Sequence, residues 1–310
     1  MEPRSSEPWN AGTVEHWKRS VEFPLRGFSR GLYSNWLWHR PLQLVIDAGE
    51  GLPLALGSSV YAPAVVAITH GHSDHVLGLP GFVGARRFGK GAQEKPYTVL
   101  HPRGSPGIDA VRQAIEKLWI GVSFPVAWVA VEPGATHSLD SKRRLEAFSV
   151  AHVVGEPSIG YRVLESRRRL TAEHAGKPSA EIERLAKSQG RDALMESFEH
   201  VLFIHSGDAM AIDITNAMDA DLLVHDATFL GADERREPVH ATSEEALEVA
   251  CAAHVRELVL NHLSVRYERP AAIDRLRQQV RRSGFPGRCW LLDDGEFISL
   301  SDPSRAPASS

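Results

Sequence analysis

The chain has 310 residues, of which 43% are hydrophobic and 24% are charged, and its formal net charge is −4. These fractions are those of ordinary globular domains and exclude a collagen-like, coiled-coil or extensively disordered chain. No apolar run approaches the roughly 18 residues of a membrane helix, and the N-terminus lacks the apolar segment of a secretory signal. With only two cysteines, we expect a protein of the reducing cytoplasm without a membrane partner.

Short apolar strands alternate with helical patterns from residue 21 to residue 300, which predicts a single α/β domain flanked by polar tails at 1–20 and 301–310. Strands are predicted at Leu42–Ala48, Ala64–Thr69, Tyr97–His101, Val126–Val131, Arg144–Ala151, Gly160–Glu165, Val201–Ser206, Asp221–Ala227, Glu257–His262, Cys289–Leu292 and Glu296–Leu300. Helices are predicted at Ile108–Ile120, Ser179–Ser188, Ser243–His254 and Ala271–Arg282. The charged stretch 166–200 is predicted to be an exposed insertion that contains the second of these helices.

A dense group of metal-ligand side chains follows the predicted strand Ala64–Thr69, where residues 70–75 read HGHSDH. A lone histidine beside an apolar run is usually structural, but four such groups within six residues at the end of a buried strand are costly unless they bind something. Because alternate side chains of a loop point the same way, we expect His70 and His72 to share one ion, and Asp74 and His75 to bind a second. Imidazole with carboxylate favours zinc, and manganese or iron also accept this set.

A short loop cannot fill two coordination spheres alone, and three later residues extend the set. His152, Asp208 and His262 each follow a predicted buried strand, where the functional residues of open α/β sheets usually lie. Each alone could equally be a turn residue, Asp208 in particular because Ser-Gly-Asp is typical of turns. The predicted ligands are His70, His72 and His152 for one ion, Asp74, His75 and His262 for the other, and Asp208 shared between them.

In order and spacing, these residues resemble the metallo-β-lactamase superfamily and, within it, the ribonuclease Z family of tRNA 3′-processing endonucleases. The resemblance covers about residues 21–300 and includes ITHGHSDHVLGLPGF, SGD, LLVHDATFL and NHLSVRY. It implies an αββα sandwich of two mixed β-sheets, with two zinc ions at one edge, and a homodimer. The chain departs from the family in five places. Glu50-Gly51 replaces Thr-Gln, the N-terminal segment PLRGFSRG lacks the Leu-Gly-Thr-Gly turn, Asp226 replaces a glutamate, Ala209 replaces a threonine, and the stretch Arg167–His200 lacks the Gly-Pro-rich arm.

The resemblance also indicates how the side chains would share the chemistry. Two ions about 3.5–4 Å apart would supply a hydroxide for in-line attack on a phosphodiester, and Asp74 would orient or deprotonate the water. His240, beside the capped start of the predicted helix Ser243–His254, would protonate the departing 3′ oxygen, and Asp226 would keep it oriented and charged. Substrate phosphates are expected at Arg86, Arg87 and Arg266.

The sequence therefore predicts an endoribonuclease that removes the 3′ trailer from precursor tRNA and leaves a 3′-hydroxyl and a 5′-phosphate. The alternative is a hydrolase with the same centre that acts on a small phosphodiester of the cyclic-nucleotide type, or on an ester or lactone. The His240–Asp226 pair and NHLSVRY favour phosphodiesters. The missing arm and the negative net charge favour a substrate smaller than tRNA.

Overall fold

The strands form two mixed β-sheets. The computed structural model describes residues 24–88, 95–119 and 126–301, so the predicted tails lie outside the described residues, apart from Ser301. The first sheet contains β1 (Leu25–Arg30), β2 (Ser34–His39), β3 (Leu44–Ile46), β4 (Val65–Ala67), β5 (Tyr97–Pro102) and β6 (Val126–Val131), in that spatial order. The second contains β7 (Thr136–Ser138), β8 (Arg143–Ser149), β9 (Ile159–Leu170), β10 (Met195–His205), β11 (Leu222–Asp226), β12 (Glu257–Asn261), β13 (Arg288–Asp293) and β14 (Glu296–Ser299), which also follow one another across the sheet. The runs β3 to β6 and β10 to β13 are parallel, and the other pairs are antiparallel.

Helices cover the outer face of each sheet. Those near the first sheet are α1 (Leu52–Leu56), α2 (Ser73–Val76), α3 (Leu79–Phe88) and α4 (Pro106–Leu118). The others are α5 (Ser179–Gln189), at the tip of a hairpin, and α6 (Ser243–Ala252) and α7 (Arg269–Ser283), on the second sheet. The predicted capping box is present at the start of α6, where Thr242 and Glu245 bond each other's backbone N–H groups. No helix among the described residues is long and apolar enough to cross a membrane.

Three apolar layers hold the sheets and helices together. In β3, Leu44 and Ile46 face the layer between the sheets, whereas Val45 faces the layer under α1, α3 and α4. In β11, Val224 faces the inter-sheet layer and Leu223 faces α6 and α7. Since successive residues of a strand point to opposite faces, strands that are apolar on both faces need a packed layer on each side of the sheet. The predicted αββα sandwich is confirmed.

The stretch 166–200 continues the second sheet. The outer halves of β9 and β10 pair antiparallel, with Arg169 opposite Glu196, and α5 lies in the connection between them. The guanidinium of Arg169 donates a hydrogen bond to the Glu196 carboxylate at 2.7 Å. The strands predicted at Gly160–Glu165 and Val201–Ser206 therefore capture only the inner parts of two longer strands.

The carboxyl ends of the parallel strands bring polar residues of both sheets to one edge. Asp47 and His70 follow β3 and β4 within three residues, and Asp208 and His262 follow β10 and β12 within three residues. Asp47 and His262 have φ angles of 57° and 63°. Such backbone conformations are unfavourable for residues other than glycine and concentrate at functional sites.

Candidate metal centre

The ligand-type side chains expected from the sequence meet at this edge. Their ligand atoms form three overlapping groups, and within each group all the atoms lie within 4.8 Å of one another. The groups are His70, His72, His152 and Asp208; Asp74, His75 and His262; and Asp208, Asp226, His240 and His262. Residues that are 192 positions apart in the chain, from 70 to 262, thus share one cluster.

The carboxylate of Asp208 lies between the two sets of histidines. Its Oδ2 is 3.1 Å from Nε2 of His262, 3.3 Å from Nε2 of His75 and 3.7 Å from Nε2 of His70. Asp208 is 4% exposed, so its charge is desolvated unless cations balance it. This is the geometry expected of a carboxylate shared between two ions.

Hydrogen bonds on the outer ring nitrogen orient four of the histidines. When Nδ1 is held by a protein oxygen, Nε2 is directed into the centre and the tautomer is set. The Nδ1 atoms lie near Thr69 Oγ1 for His70 (3.0 Å), Asp47 Oδ2 for His75 (2.8 Å), the Val239 carbonyl for His152 (2.7 Å) and Thr228 Oγ1 for His262 (2.8 Å). The ring nitrogens that face the centre are therefore the lone-pair donors.

The donor set fits a divalent cation. His70 Nε2 and His72 Nδ1 are 3.0 Å apart, and His72 Nδ1 is 3.4 Å from His152 Nε2. Burial, together with neighbouring His75, holds the pKa of His70 well below its ordinary value, so this imidazole is neutral. Imidazole nitrogens and a buried carboxylate that converge on one space are the ligands of zinc and related ions.

His240 and Asp226 form a hydrogen-bonded pair beside this centre. His240 Nδ1 lies 2.7 Å from Asp226 Oδ2, and its ring stacks on that of His262 with the centroids 5.1 Å apart. Burial lowers the pKa of His240, but the charge of fully buried Asp226 outweighs it and raises the pKa to about 9. The imidazole is therefore protonated at neutral pH. Neighbouring His225 is not part of this pair, because its Nε2 accepts a hydrogen bond from the Ile212 N–H.

Two residues that the sequence analysis did not assign also hold the centre. Asn35 Nδ2 donates to Asp74 Oδ2 at 2.9 Å, and Asp47 joins Thr69 to His75 through both carboxylate oxygens. The sequence could have indicated Asp47, because it is an acidic residue directly after an apolar strand. The sequence could not have indicated Asn35, because it lies within β2 and its contact with Asp74 spans 39 residues.

Arg86 is not placed to contact a phosphate at the centre, because its guanidinium is buried and bonded to backbone carbonyls. Arg86 is 1% exposed, and its guanidinium donates to the backbone carbonyls of Val60, Pro63 and Lys95 at 2.6–3.0 Å. Arg87 donates to the Trp119 carbonyl at 3.1 Å. Both arginines fasten α3 to its neighbours, and for the buried Arg86 the expectation of a phosphate contact is wrong.

Arg266 is separated from His240 by one aromatic ring. Its exposed guanidinium is 4.9 Å from the centroid of the Phe229 ring, and that ring is 6.3 Å from the ring of His240. The guanidinium also donates to the Glu234 carbonyl at 3.1 Å. Its contact with a substrate phosphate stays a prediction.

Comparisons with known proteins give a consistent picture. The metallo-beta-lactamase superfamily model matches residues 43–178. The chain is 34% identical over 274 residues to ribonuclease Z of Halobacterium salinarum, covering 81% of this chain and 86% of that protein. It is 30% identical over 283 residues to ribonuclease Z of Bacillus subtilis, covering 84% and 88%.

Solved structures show the same fold. The short form of human tRNase Z superposes with a TM-score of 0.60 at 21% identity, over 90% of this chain and 99% of that one. A metallo-beta-lactamase fold protein of Bacillus subtilis, YhfI, also gives 0.60, at 18% identity over 89% and 99%. At these identities the likeness concerns the fold.

Proposed function

Because the chain belongs to the ribonuclease Z family, we propose that it removes the 3′ trailer from precursor tRNA, leaving a 3′-hydroxyl on the tRNA and a 5′-phosphate on the trailer. The observation that carries this proposal is His240, held at 2.7 Å by Asp226 and stacked on His262 at the rim of the ligand cluster. A phosphodiesterase needs both an activated water and a proton for the departing oxygen. The ligand cluster would supply the first, and the adjacent His240 would supply the second.

The centre would hold two divalent cations, and zinc suits its mixed imidazole and carboxylate ligands best. The first ion would bind to His70, His72 and His152, the second to Asp74, His75 and His262, with Asp208 common to both. When bound, the pair supplies Lewis-acid stabilisation and a hydroxide at neutral pH. Manganese and iron accept the same ligands.

The protein's own side chains orient the reactants and move the protons. Asp74, with Oδ2 held by Asn35, can accept a proton from the attacking water. His240 carries the proton for the departing 3′ oxygen on Nε2, because Nδ1 donates to Asp226. The negative charge of Asp226 keeps the imidazole protonated until that proton is needed. Exposed Arg266, on the same side, would contact a substrate phosphate.

Assembly and location complete the proposal. Leu54 and Leu77 are 88% and 53% exposed on neighbouring segments of the chain, since Pro53 packs near Gly81 of α3. Large exposed leucines are typical of a surface that a partner covers, and we propose a homodimer through this face. Cys251 and Cys289 are both free, which suits a reducing cytoplasm.

A second candidate is the hydrolysis of a small phosphodiester. It is favoured by the hairpin of β9 and β10, where exposed arginines are paired with neighbouring carboxylates. Arg168 bonds Asp192 at 2.5 Å, and Arg169 bonds Glu196 at 2.7 Å. With a net charge of −4, the chain has no general attraction for a polyanion.

Cleavage of precursor tRNA and of bis(p-nitrophenyl) phosphate, each at about 50 and about 200 mM salt, separates the two candidates, because only a large polyanion makes affinity fall steeply with salt. We expect the precursor to be cut at its 3′ end, with a KM that rises with salt. His240→Ala should keep its metal and lose about 10²- to 10⁴-fold in turnover. His254→Asn, an exposed histidine after the far end of α6, is the matched control. Cleavage of the small ester alone would favour the second candidate.

A further inference from the structure

Glu156 joins two ligand-bearing loops. It lies in the loop after β8, four residues beyond His152. Its Oε1 accepts hydrogen bonds from the Gly71 N–H at 2.8 Å and from the Ser105 hydroxyl at 2.6 Å. Gly71 lies between His70 and His72. One carboxylate oxygen therefore fastens the His152 loop to the loop that supplies the other two histidines of the same group.

The backbone at Gly71 is enclosed. A Cβ there would overlap the Ser105 hydroxyl and lie 2.7 Å from Glu156 Oε1. A Cβ at Gly107, in the first turn of α4, would overlap the Gly71 carbonyl. The loop is thus pressed against the start of α4 on one side and held by Glu156 on the other. Its position is determined by these contacts, because glycine alone fits such close backbone approaches.

His72 depends on this clamp more than the other histidines do. Four ligand histidines are oriented through Nδ1 by a protein oxygen, whereas Nδ1 of His72 faces the centre. Within residues 24–88, 95–119 and 126–301, the hydrogen-bond contacts of the His72 ring are with ring nitrogens of His70 and His152. The placement of His72 must therefore come from its backbone, one residue from the Gly71 N–H.

We propose that Glu156 is a positioning residue for one of the two cation sites, that of His70, His72 and His152. It fixes the distance between the loops of His72 and His152 and does not touch the second site, which Asp47 and Thr228 orient. This inference rests on the ligand assignment of the proposed function. It predicts that loss of Glu156 weakens cation binding at this site and leaves the affinity of the other site unchanged.

The test is a zinc titration of the metal-free protein against a chromophoric chelator, repeated with Co²⁺, whose visible spectrum reports the ligand geometry. Glu156→Ala should weaken one of the two binding steps by about 10- to 100-fold, the usual effect of losing an outer partner of a ligand, and leave the other step unchanged. Glu156→Gln keeps an amide oxygen for both donors and should bind like the wild type. Glu132→Ala, an exposed carboxylate paired with Arg103, is the control.

The outcomes separate this inference from the proposed function. Two unchanged steps in Glu156→Ala would overturn the inference, as would an equal loss in both steps. A wild type that binds no cation would overturn the proposed function as well. If Glu156→Ala does not fold, Glu156→Asp decides, because the shorter carboxylate cannot reach both donors and should weaken the same step. Thr228→Val, which removes the partner of His262 Nδ1, should weaken the other step.

Discussion

Asp47 offers a sharp test of how the centre is oriented. Its Oδ1 accepts from the Thr69 N–H at 2.7 Å, and Oδ2 accepts from Thr69 Oγ1 at 2.9 Å and lies 2.8 Å from His75 Nδ1. Asp47→Asn keeps the size of the side chain and the acceptor for the Thr69 N–H. It places an NH₂ group opposite His75 Nδ1, so that nitrogen must become an acceptor and Nε2 must carry the proton.

The magnitude follows from the tautomer. A protonated Nε2 cannot bind a cation, so His75 must give up its new hydrogen bond to do so. We expect the affinity of the site of Asp74, His75 and His262 to fall about 10- to 100-fold, equivalent to about 1.4–2.8 kcal/mol. The metal-free protein should also lose about 1.5–3 kcal/mol of unfolding free energy, since the hydrogen bond between Asp47 and His75 involves charged groups.

Chelator competition gives the two cation affinities, and urea unfolding of the metal-free protein gives the stability. The control is Asp213→Asn, because Asp213 also accepts a backbone and a hydroxyl hydrogen bond, both from Thr215, on the surface. Wild-type affinity at both sites in Asp47→Asn would refute the reasoning. A loss confined to the site of His70, His72 and His152 would show that the contact of Asp47 with Thr69 Oγ1, which holds His70 Nδ1, carries the effect in place of the contact with His75.

Three further changes test other parts of the structure. Asp208→Ala should lose both cations together with activity, and full metal occupancy by elemental analysis would remove it from the ligand set. Arg86→Leu should cost about 3–5 kcal/mol in urea unfolding, because the carbonyls of buried Val60 and Pro63 and of exposed Lys95 lose their donor, with KM unchanged; a raised KM would restore the phosphate role. Burial lowers the pKa of His39 from 6.5 to about 4. Between these values the unfolded chain binds a proton that the folded chain does not, so unfolding free energy should fall by up to about 3 kcal/mol as pH drops, and His39→Gln should lose this dependence.

The parts of the fold that were predicted carry local signals. Val126–Val131 is a strand with the predicted bounds, and each of the other ten predicted strands overlaps an observed strand. The HGHSDH segment is informative because four candidate ligands lie within six residues. The later candidates could be predicted because each follows a buried strand, and the carboxyl ends of parallel strands meet at one edge.

The parts that were missed depend on distant contacts. The helix α3 contains Pro80, Gly81 and Gly84, which disfavour a helix in isolation. It forms because Gly84 lies against the Trp119 ring, where a Cβ would be 2.5 Å from the indole, and because Arg86 fastens its end. The outer half of β9 looked like an insertion because its charges find their partners 27 positions away, as Arg169 does in Glu196.

The two departures in the site, Asp226 and Ala209, contact each other. Asp226 has a shorter side chain than glutamate, yet it reaches His240 Nδ1 at 2.7 Å. Ala209 connects Asp226 to the loop of His240 without a side-chain hydroxyl. Its N–H donates to Asp226 Oδ2 at 3.0 Å, and its carbonyl accepts from the Ala241 N–H at 2.7 Å. The loop of His240 is thereby drawn toward the strand end that carries Asp226. Since the contacts of Ala209 use backbone atoms, the residue type at 209 says little about the site.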